Sequence, residues 1–208
     1  MLLLFQELQT TVISKKNKFL ILPGMNQSQE VFNSLLSQSF FISYYKDSEH
    51  LPFREIFYQV DEALSLMAED GIIIAHSYGA LILIDYFKKR GEVSNSFRTI
   101  LIGPAFKARF STTFLRFLPS RLRLPSLNSR RFRVRSFCYV EDYQRLANLQ
   151  NAFAVADLEF LGIDFSIVYD PRDELVDTSF LESLPFAKEI FSKDFPRHLY
   201  FDFIEKLK

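Results

Sequence analysis

Short apolar runs and longer amphipathic stretches alternate along this chain. Residues 18–22 (Lys-Phe-Leu-Ile-Leu), 40–45, 99–102 and 165–169 are brief and rich in β-branched and aromatic side chains, which predicts strands. One or two further strands are expected within 2–13 and a short last one at 188–191. Ile72-Ile73-Ile74 is a continuous β-branched run, the pattern of a strand buried on both faces of a parallel sheet. Helices are expected over 53–67 and 80–90, from a cap at Asn26 or Ser28 to about Leu36, and over 200–208. Strands taking turns with helices predict an α/β fold, a mostly parallel sheet flanked by helices. Such sheets bind their ligands beyond the carboxyl ends of the strands, so polar residues at those ends are the ones to follow.

Residues 105–155 break the rhythm. They hold Pro119, Pro125 and many phenylalanines, among them Phe106, Phe110, Phe114, Phe117, Phe132 and Phe137, with helices expected near 112–118 and 141–149. The reading is an inserted subdomain, 105–155, within a core made of 1–104 and 156–208. Its phenylalanines are expected to line an apolar pocket, to pack the insertion on the sheet, or both.

Composition narrows the class. With 208 residues, 48% hydrophobic and 24% charged, the chain suits one domain with a substantial core. Cys138 is the single cysteine, which excludes an internal disulfide and a cysteine metal cluster. The apolar start Met1-Leu2-Leu3-Leu4-Phe5 runs into Glu7 with no basic residue before it, too short for a signal-peptide core. No run reaches membrane-spanning length, so a cytoplasmic protein without a transmembrane segment is expected. The net charge of zero conceals an asymmetry. Between Val93 and Val140 there is no Asp or Glu, while Arg98, Lys107, Arg109, Arg116, Arg121, Arg123, Arg130, Arg131, Arg133 and Arg135 all fall there.

The chemistry concentrates at Ala75-His76-Ser77-Tyr78-Gly79, wedged between the 72–74 strand and the 80–90 helix with no room for a loop. A direct turn from strand to helix forces Ser77 into a strained backbone, and the residues two before and two after must be small, as Ala75 and Gly79 are. The turn lifts the hydroxyl above the sheet edge beside the positive end of a helix. The same residues also suit a serine that merely caps a helix.

This turn resembles the nucleophile elbow of the α/β-hydrolase superfamily, with Ala75 in place of the usual Gly. The resemblance spans the chain from about Phe19 to Leu207, and it implies a Ser-acid-His order. His198, between the last strand and the last helix, then stands where the family has its catalytic base. His76 lies inside the elbow and is expected to be structural; His50 is expected on the surface. Asp173 precedes Glu174-Leu175-Val176, which resembles the family's D-x-x-V turn, and is the preferred acid. Asp170 is the fallback, or else braces the turn before Pro171. The oxyanion donors implied are the main-chain N–H groups of Tyr78 and of Met25 in Pro23-Gly24-Met25, which is similar to the family's H-G-x; Gly24 permits close backbone approach. Pro23 in place of His, and Arg197 where Gly often precedes the catalytic His, are departures.

The implied activity is serine carboxylic-ester hydrolysis through an acyl-enzyme, which needs no metal or cofactor. The acid-free basic insertion suits a polyanionic partner. Arg109, Arg116, Arg121, Arg123, Arg130 and Arg131 are its expected contacts. Nucleic acid is not expected, because no binding motif accompanies the charge. An acyl carrier protein is acidic, and a compact hydrolase with a basic insertion is similar to the pimeloyl-acyl-carrier-protein methyl ester esterases of biotin synthesis. A lipid esterase, lysophospholipase or thioesterase docked on an anionic membrane is the alternative. A silent hydrolase-fold binding module is the non-enzymatic one.

Overall fold

Successive side chains of a strand point to opposite faces, and in this chain that alternation divides the core in two. Leu20, Leu22, Ile73, Ala75, Leu101 and Ile167 belong to one cluster, while Phe19, Ile21, Ile74, Ile100, Ile102 and Val168 belong to the other. The computed structural model describes residues 17–46, 49–91, 96–109, 117–125, 137–193 and 197–207. The strands expected within 2–13 and nearly all of the helix expected at 112–118 lie outside them.

The strands in chain order are β1 (Asn17–Leu22), β2 (Ser39–Phe41), β3 (Tyr45–Lys46), β4 (Glu49–His50), β5 (Met67–His76), β6 (Arg98–Ile102), β7 (Arg123–Pro125), β8 (Phe137–Tyr139), β9 (Phe165–Tyr169) and β10 (Ala187–Glu189). Six of them form one sheet in the order β10-β9-β6-β5-β1-β2, and every neighbouring pair is parallel. The chain steps outward from β1 to β2, then crosses back to place β5 on the other side of β1. The direction of winding therefore reverses between β1 and β5. A crevice opens at such a reversal, beyond the carboxyl ends of those two strands.

Helices α1 (Phe53–Leu66) and α2 (Tyr78–Arg90) cover the first face. Every residue of α2 from Tyr78 to Ile84 is buried, and Gly91, at φ 66°, ends it in the left-handed region, as its position past the last basic turn predicts. The second face is covered more thinly than the sequence suggests. The helix expected to reach Leu36 is instead two 3-10 turns, Gln29–Phe32 and Leu36–Gln38. The main-chain bonds there span three residues: Val31 N donates to the Ser28 carbonyl at 3.3 Å and Leu35 N to that of Phe32 at 2.8 Å. The closing helix is a single turn, Phe201–Ile204. The strand expected at 40–45 also stops early. Gln59 takes both main-chain groups of Ser43, its Oε1 accepting from the N–H and its Nε2 donating to the carbonyl, each at 3.0 Å. The chain beyond turns off into the β3–β4 hairpin.

Between β6 and β9 stand the β7–β8 hairpin, a helix Val140–Ala152 and a 3-10 segment Val155–Leu161. Lys88 of α2 donates to Asp157 at 2.8 Å. The first residues of this stretch are stitched to the loop after β9. Ala108 and Val176 form a β-bridge, Asp177 N donates to the Lys107 carbonyl at 2.8 Å, and Arg109 N donates to the Leu175 carbonyl at 3.0 Å. Among the described residues no helix is long and apolar enough to cross a membrane.

Candidate active site

Ser77 has φ 51° and ψ −113°, a combination that a residue with a side chain adopts only when its surroundings enforce it. Three main-chain partners do so. Its N–H donates to the carbonyl of Ile102 at the end of β6, at 2.9 Å, and its own carbonyl accepts from Ala80 N and Ala105 N, both at 3.2 Å. The small residue two positions later has a reason the local pattern does not reveal. A Cβ on Gly79 would lie 2.3 Å from the carbonyl oxygen of Leu22 and 2.6 Å from that of Pro23, so the first turn of α2 presses directly on the end of β1.

That end carries the second turn of the site. Gln27 N donates to the Gly24 carbonyl at 3.1 Å and closes a β-turn; Asn26 stands at its third position with φ 68°, the type II arrangement. Leu22 is paired in register with Ala75, so this turn and the elbow lie side by side. Met25 and Tyr78, the expected oxyanion donors, sit in these two adjacent turns. His76 fastens the pair together. Its Nδ1 faces Gln27 Oε1 at 2.7 Å, an atom that also accepts from Gly24 N at 2.6 Å, and its Nε2 faces the carbonyl of His198 at 2.8 Å. A Cβ on Gly24 would stand 2.7 Å from His76 Nδ1, so glycine is a steric requirement there. Burial, then the neighbouring His198, pushes the pKa of His76 down to about 3. The ring is thus neutral near pH 7 and donates through one of its two nitrogens at a time.

Opposite the elbow, the Ser77 hydroxyl donates to His198 Nε2 at 2.7 Å, and His198 Nδ1 donates to Asp173 Oδ2 at 2.8 Å. Asp173 is fully buried. Its other oxygen accepts from Leu175 N at 2.8 Å and Val176 N at 2.9 Å. Burial raises the pKa of Asp173, but His198 beside it and those two N–H groups outweigh burial and hold it below the usual carboxylate range. Ser77 and His198 are each 7% exposed. Arg197, the departure ahead of His198, is bonded to the residue after the acid: its N–H and Nη1 donate to the two oxygens of Glu174 at 2.7 and 2.5 Å.

Asp170 takes a different place. It accepts from Arg172 N, Nε and Nη2 and from Ser192 N, at 2.7 to 3.0 Å, which braces the turn ahead of Asp173. These donors, led by Arg172, overcome burial and lower its pKa. His50, expected on the surface, is inside: its side chain is 2% exposed, its ring stacks on Tyr44, and Nε2 stands 3.7 Å from the buried Asp142. The hairpin, unforeseen in the sequence, turns it under the Val140–Ala152 helix.

The basic positions divide. Arg109 donates from Nε to the Val176 carbonyl at 3.0 Å and from Nη2 to the Pro171 carbonyl at 2.9 Å, and Lys107 pairs with Asp177 at 2.7 Å. Both reach the acid loop, and both remain exposed. Arg121 and Arg123 are exposed, Arg123 with its guanidinium 5.7 Å from the Tyr139 ring centre. Arg116, Arg130 and Arg131 lie outside the described residues, as do Phe110, Phe114 and Phe132. Phe106 is buried, stacked on Phe153 at 4.2 Å, whereas Phe117 is 86% exposed. Gln27 and Tyr200, which bond to members of the site, escaped the sequence reading. Their spacing from Gly24 and His198 was the one available signal.

No family model matches the chain, and no curated protein matches it in sequence. Solved structures do match in shape. The monoacylglycerol lipase of Paleococcus ferrophilus superposes with a TM-score of 0.60 at 11% identity, covering 90% of this chain and 93% of that one. A soluble variant of the monoglyceride lipase of Saccharomyces cerevisiae, in complex with a substrate analogue, gives 0.61 at 14% identity over 92% and 85%. The thioesterase domain from the curacin biosynthetic pathway gives 0.60 at 12% identity over 92% and 89%. The six-stranded parallel sheet, the strand-to-helix turn at Ser77 and these superpositions together establish that the chain has the α/β-hydrolase fold.

Proposed function

We propose that this protein is a serine hydrolase acting on carboxylic esters, including thioesters. The observation that carries the reading is the unbroken line from Ser77 Oγ through His198 to the buried Asp173, with contacts of 2.7 and 2.8 Å. A hydroxyl is a weak nucleophile until a base takes its proton, and a neutral imidazole does so when its other nitrogen is held by a carboxylate. Ser77 Oγ attacks the acyl carbonyl while its proton passes to His198 Nε2. The N–H groups of Tyr78 and Met25 receive the oxyanion, each worth about 3–4 kcal/mol of transition-state stabilisation. Collapse expels the alcohol or thiol, which leaves with the proton from His198. Water then gives a proton to His198 and attacks the acyl-enzyme; the acid departs and Ser77 recovers its proton.

The test is labelling by a fluorophosphonate, with hydrolysis of a p-nitrophenyl ester alongside. Wild type is expected to label at Ser77 and turn over, and Ser77→Ala to do neither. A folded wild type that neither labels nor hydrolyses any of a panel of esters and thioesters overturns the reading in favour of a binding module.

For the substrate, the favoured reading remains an acyl methyl ester carried on an acidic acyl carrier protein, of the pimeloyl type. Its support is the run from Val93 to Val140 without a carboxylate, including the exposed Arg121 and Arg123. The second reading, a lipid esterase, is supported by likeness in shape to two monoacylglycerol lipases. Hydrolysis of one acyl methyl ester, free and carrier-linked, at low and high salt separates them. A carrier preference that salt erodes supports the first reading, since exposed charges are screened within about 10 Å at 0.1 M. Equal rates, with monoacylglycerol cleaved faster, support the second.

A further inference from the structure

Tyr200 stands two residues past His198 and holds a left-handed backbone, φ 52° and ψ 27°, that an amino acid with a large side chain rarely adopts. The turn drives its ring back under the site, where it is fully buried. The fit is tight: a Cβ on Gly103 would lie 2.4 Å from the ring. Both site imidazoles meet it edge-on, His76 at 5.8 Å and 70° and His198 at 6.2 Å and 71°. Its hydroxyl lies between the two carboxylate segments, accepting from Asp170 N at 2.9 Å and facing Asp173 Oδ2 at 3.1 Å. A carboxylate has no proton to give, so the phenol is the donor. Burial, followed by the charge of Asp173, raises the Tyr200 pKa and keeps that proton in place.

Oδ2 is the oxygen that also receives His198 Nδ1. With Leu175 N and Val176 N on Oδ1, four donors surround Asp173, and only Tyr200 shares an oxygen with the imidazole. We propose that Tyr200 is a positioning residue for the Ser77–His198–Asp173 reaction, its hydroxyl fixing the carboxylate and limiting the negative charge that Asp173 presents to His198. The proposal rests on the hydrolase reading above. It assigns the left-handed turn after His198 a role: with this backbone His198 faces Ser77 while the Tyr200 hydroxyl returns to the acid.

Tyr200→Phe keeps the ring and removes the donor. The expected result is a roughly tenfold fall in kcat, the scale of one hydrogen bond to a charged group, with KM changed by less than about twofold. The signature is the pH profile. With one donor gone, the carboxylate favours the imidazolium more strongly, so the acidic limb of kcat/KM moves to higher pH. The Asp170 N–H loses its partner in the same variant, which lowers Tm but moves neither the limb nor the imidazole titration. Proton NMR of the His198 ring in wild type and Tyr200→Phe measures that titration without any substrate. A variant with wild-type kcat, limb and ring titration overturns the proposal, whatever its Tm. Should wild type turn over no ester, the ring titration still decides: a shift upholds the Tyr200–Asp173–His198 coupling while the ester reading falls, and no shift removes the proposal itself.

Discussion

Replacing Gly79 by Ala tests how the turn at Ser77 and the Gly24–Gln27 turn are held together. The added methyl would stand 2.3 Å from the Leu22 carbonyl oxygen, 2.6 Å from that of Pro23 and 2.7 Å from the Leu22 carbonyl carbon. A carbon and a carbonyl oxygen rest no closer than about 3.3 Å, so α2 and the end of β1 must part by about 1 Å. The obstacle is main chain on both sides, and no side chain can rotate away to absorb it. Overpacking of this kind costs roughly 1–3 kcal/mol. For a domain of this size each kcal/mol lowers Tm by about 2–4 °C. The functional loss is expected to be larger than the stability loss suggests. The two parts being separated carry Ser77 and Tyr78 on one side and Met25 on the other, and a displacement of about 1 Å within a catalytic constellation costs on the order of a hundredfold. The assay is kcat/KM on a p-nitrophenyl ester together with thermal melting. Gly91→Ala is the control: its φ is 66° but nothing lies within 4 Å of the new Cβ, so it is expected to lose about 1 kcal/mol with kcat unchanged. A Gly79→Ala protein with the activity and Tm of wild type refutes the steric argument, and a Gly91→Ala protein that loses activity refutes the claim that the loss is specific to the β1 contact.

The division of labour between the two carboxylates gives another test. Asp173→Asn is expected to reduce kcat by about 10⁴ by imposing the wrong tautomer on His198. Asp170→Asn is expected to act mainly on stability, because the amide keeps one of the two oxygens that accept from Arg172 and Ser192 N and loses the charge; kcat and Tm measured for both distinguish the roles, and equal kcat losses contradict the assignment. His76 predicts a pH dependence of stability. Its folded pKa, about 3, lies below its ordinary value of 6.5, so between these pH values the unfolded chain binds the additional proton. Its contribution is therefore complete above 6.5 and is lost as pH falls toward 3, by up to about 1.4 kcal/mol per pH unit. The stability difference between wild type and His76→Gln, from urea titrations at pH 5 and pH 7, is expected to grow with pH; a constant difference argues against a buried neutral ring.

What the sequence determines by itself here is set by neighbours a few residues apart. The β-branched runs specify β5, β6 and β9, the absence of a loop between Ile74 and Ala80 specifies the strained turn at Ser77, and Gly91 specifies where α2 stops. Those forces act within a strand or a helical turn, and a linear pattern records them. The order of Ser77, Asp173 and His198 was legible as well, as strand-end positions and family likeness. The remainder depended on tertiary structure, because it comes from groups distant in sequence. His198 meets Ser77 across a separation of 121 residues, and His76 meets its carbonyl across 122. Asp170 and Asp173 look alike in the sequence; Arg172 and Ser192 claim the first, His198 the second. Arg109 reads as a free cation until the carbonyls of Pro171 and Val176 are brought to it. His50 reads as a surface residue until the hairpin folds it against Tyr44. The stretch from Gln29 to Gln38 reads as a helix, whereas its main-chain bonds close over three residues as 3-10 turns. Burial supplies the reason throughout: once water is excluded, each polar group must find a partner, and only the folded chain decides which partner is within reach.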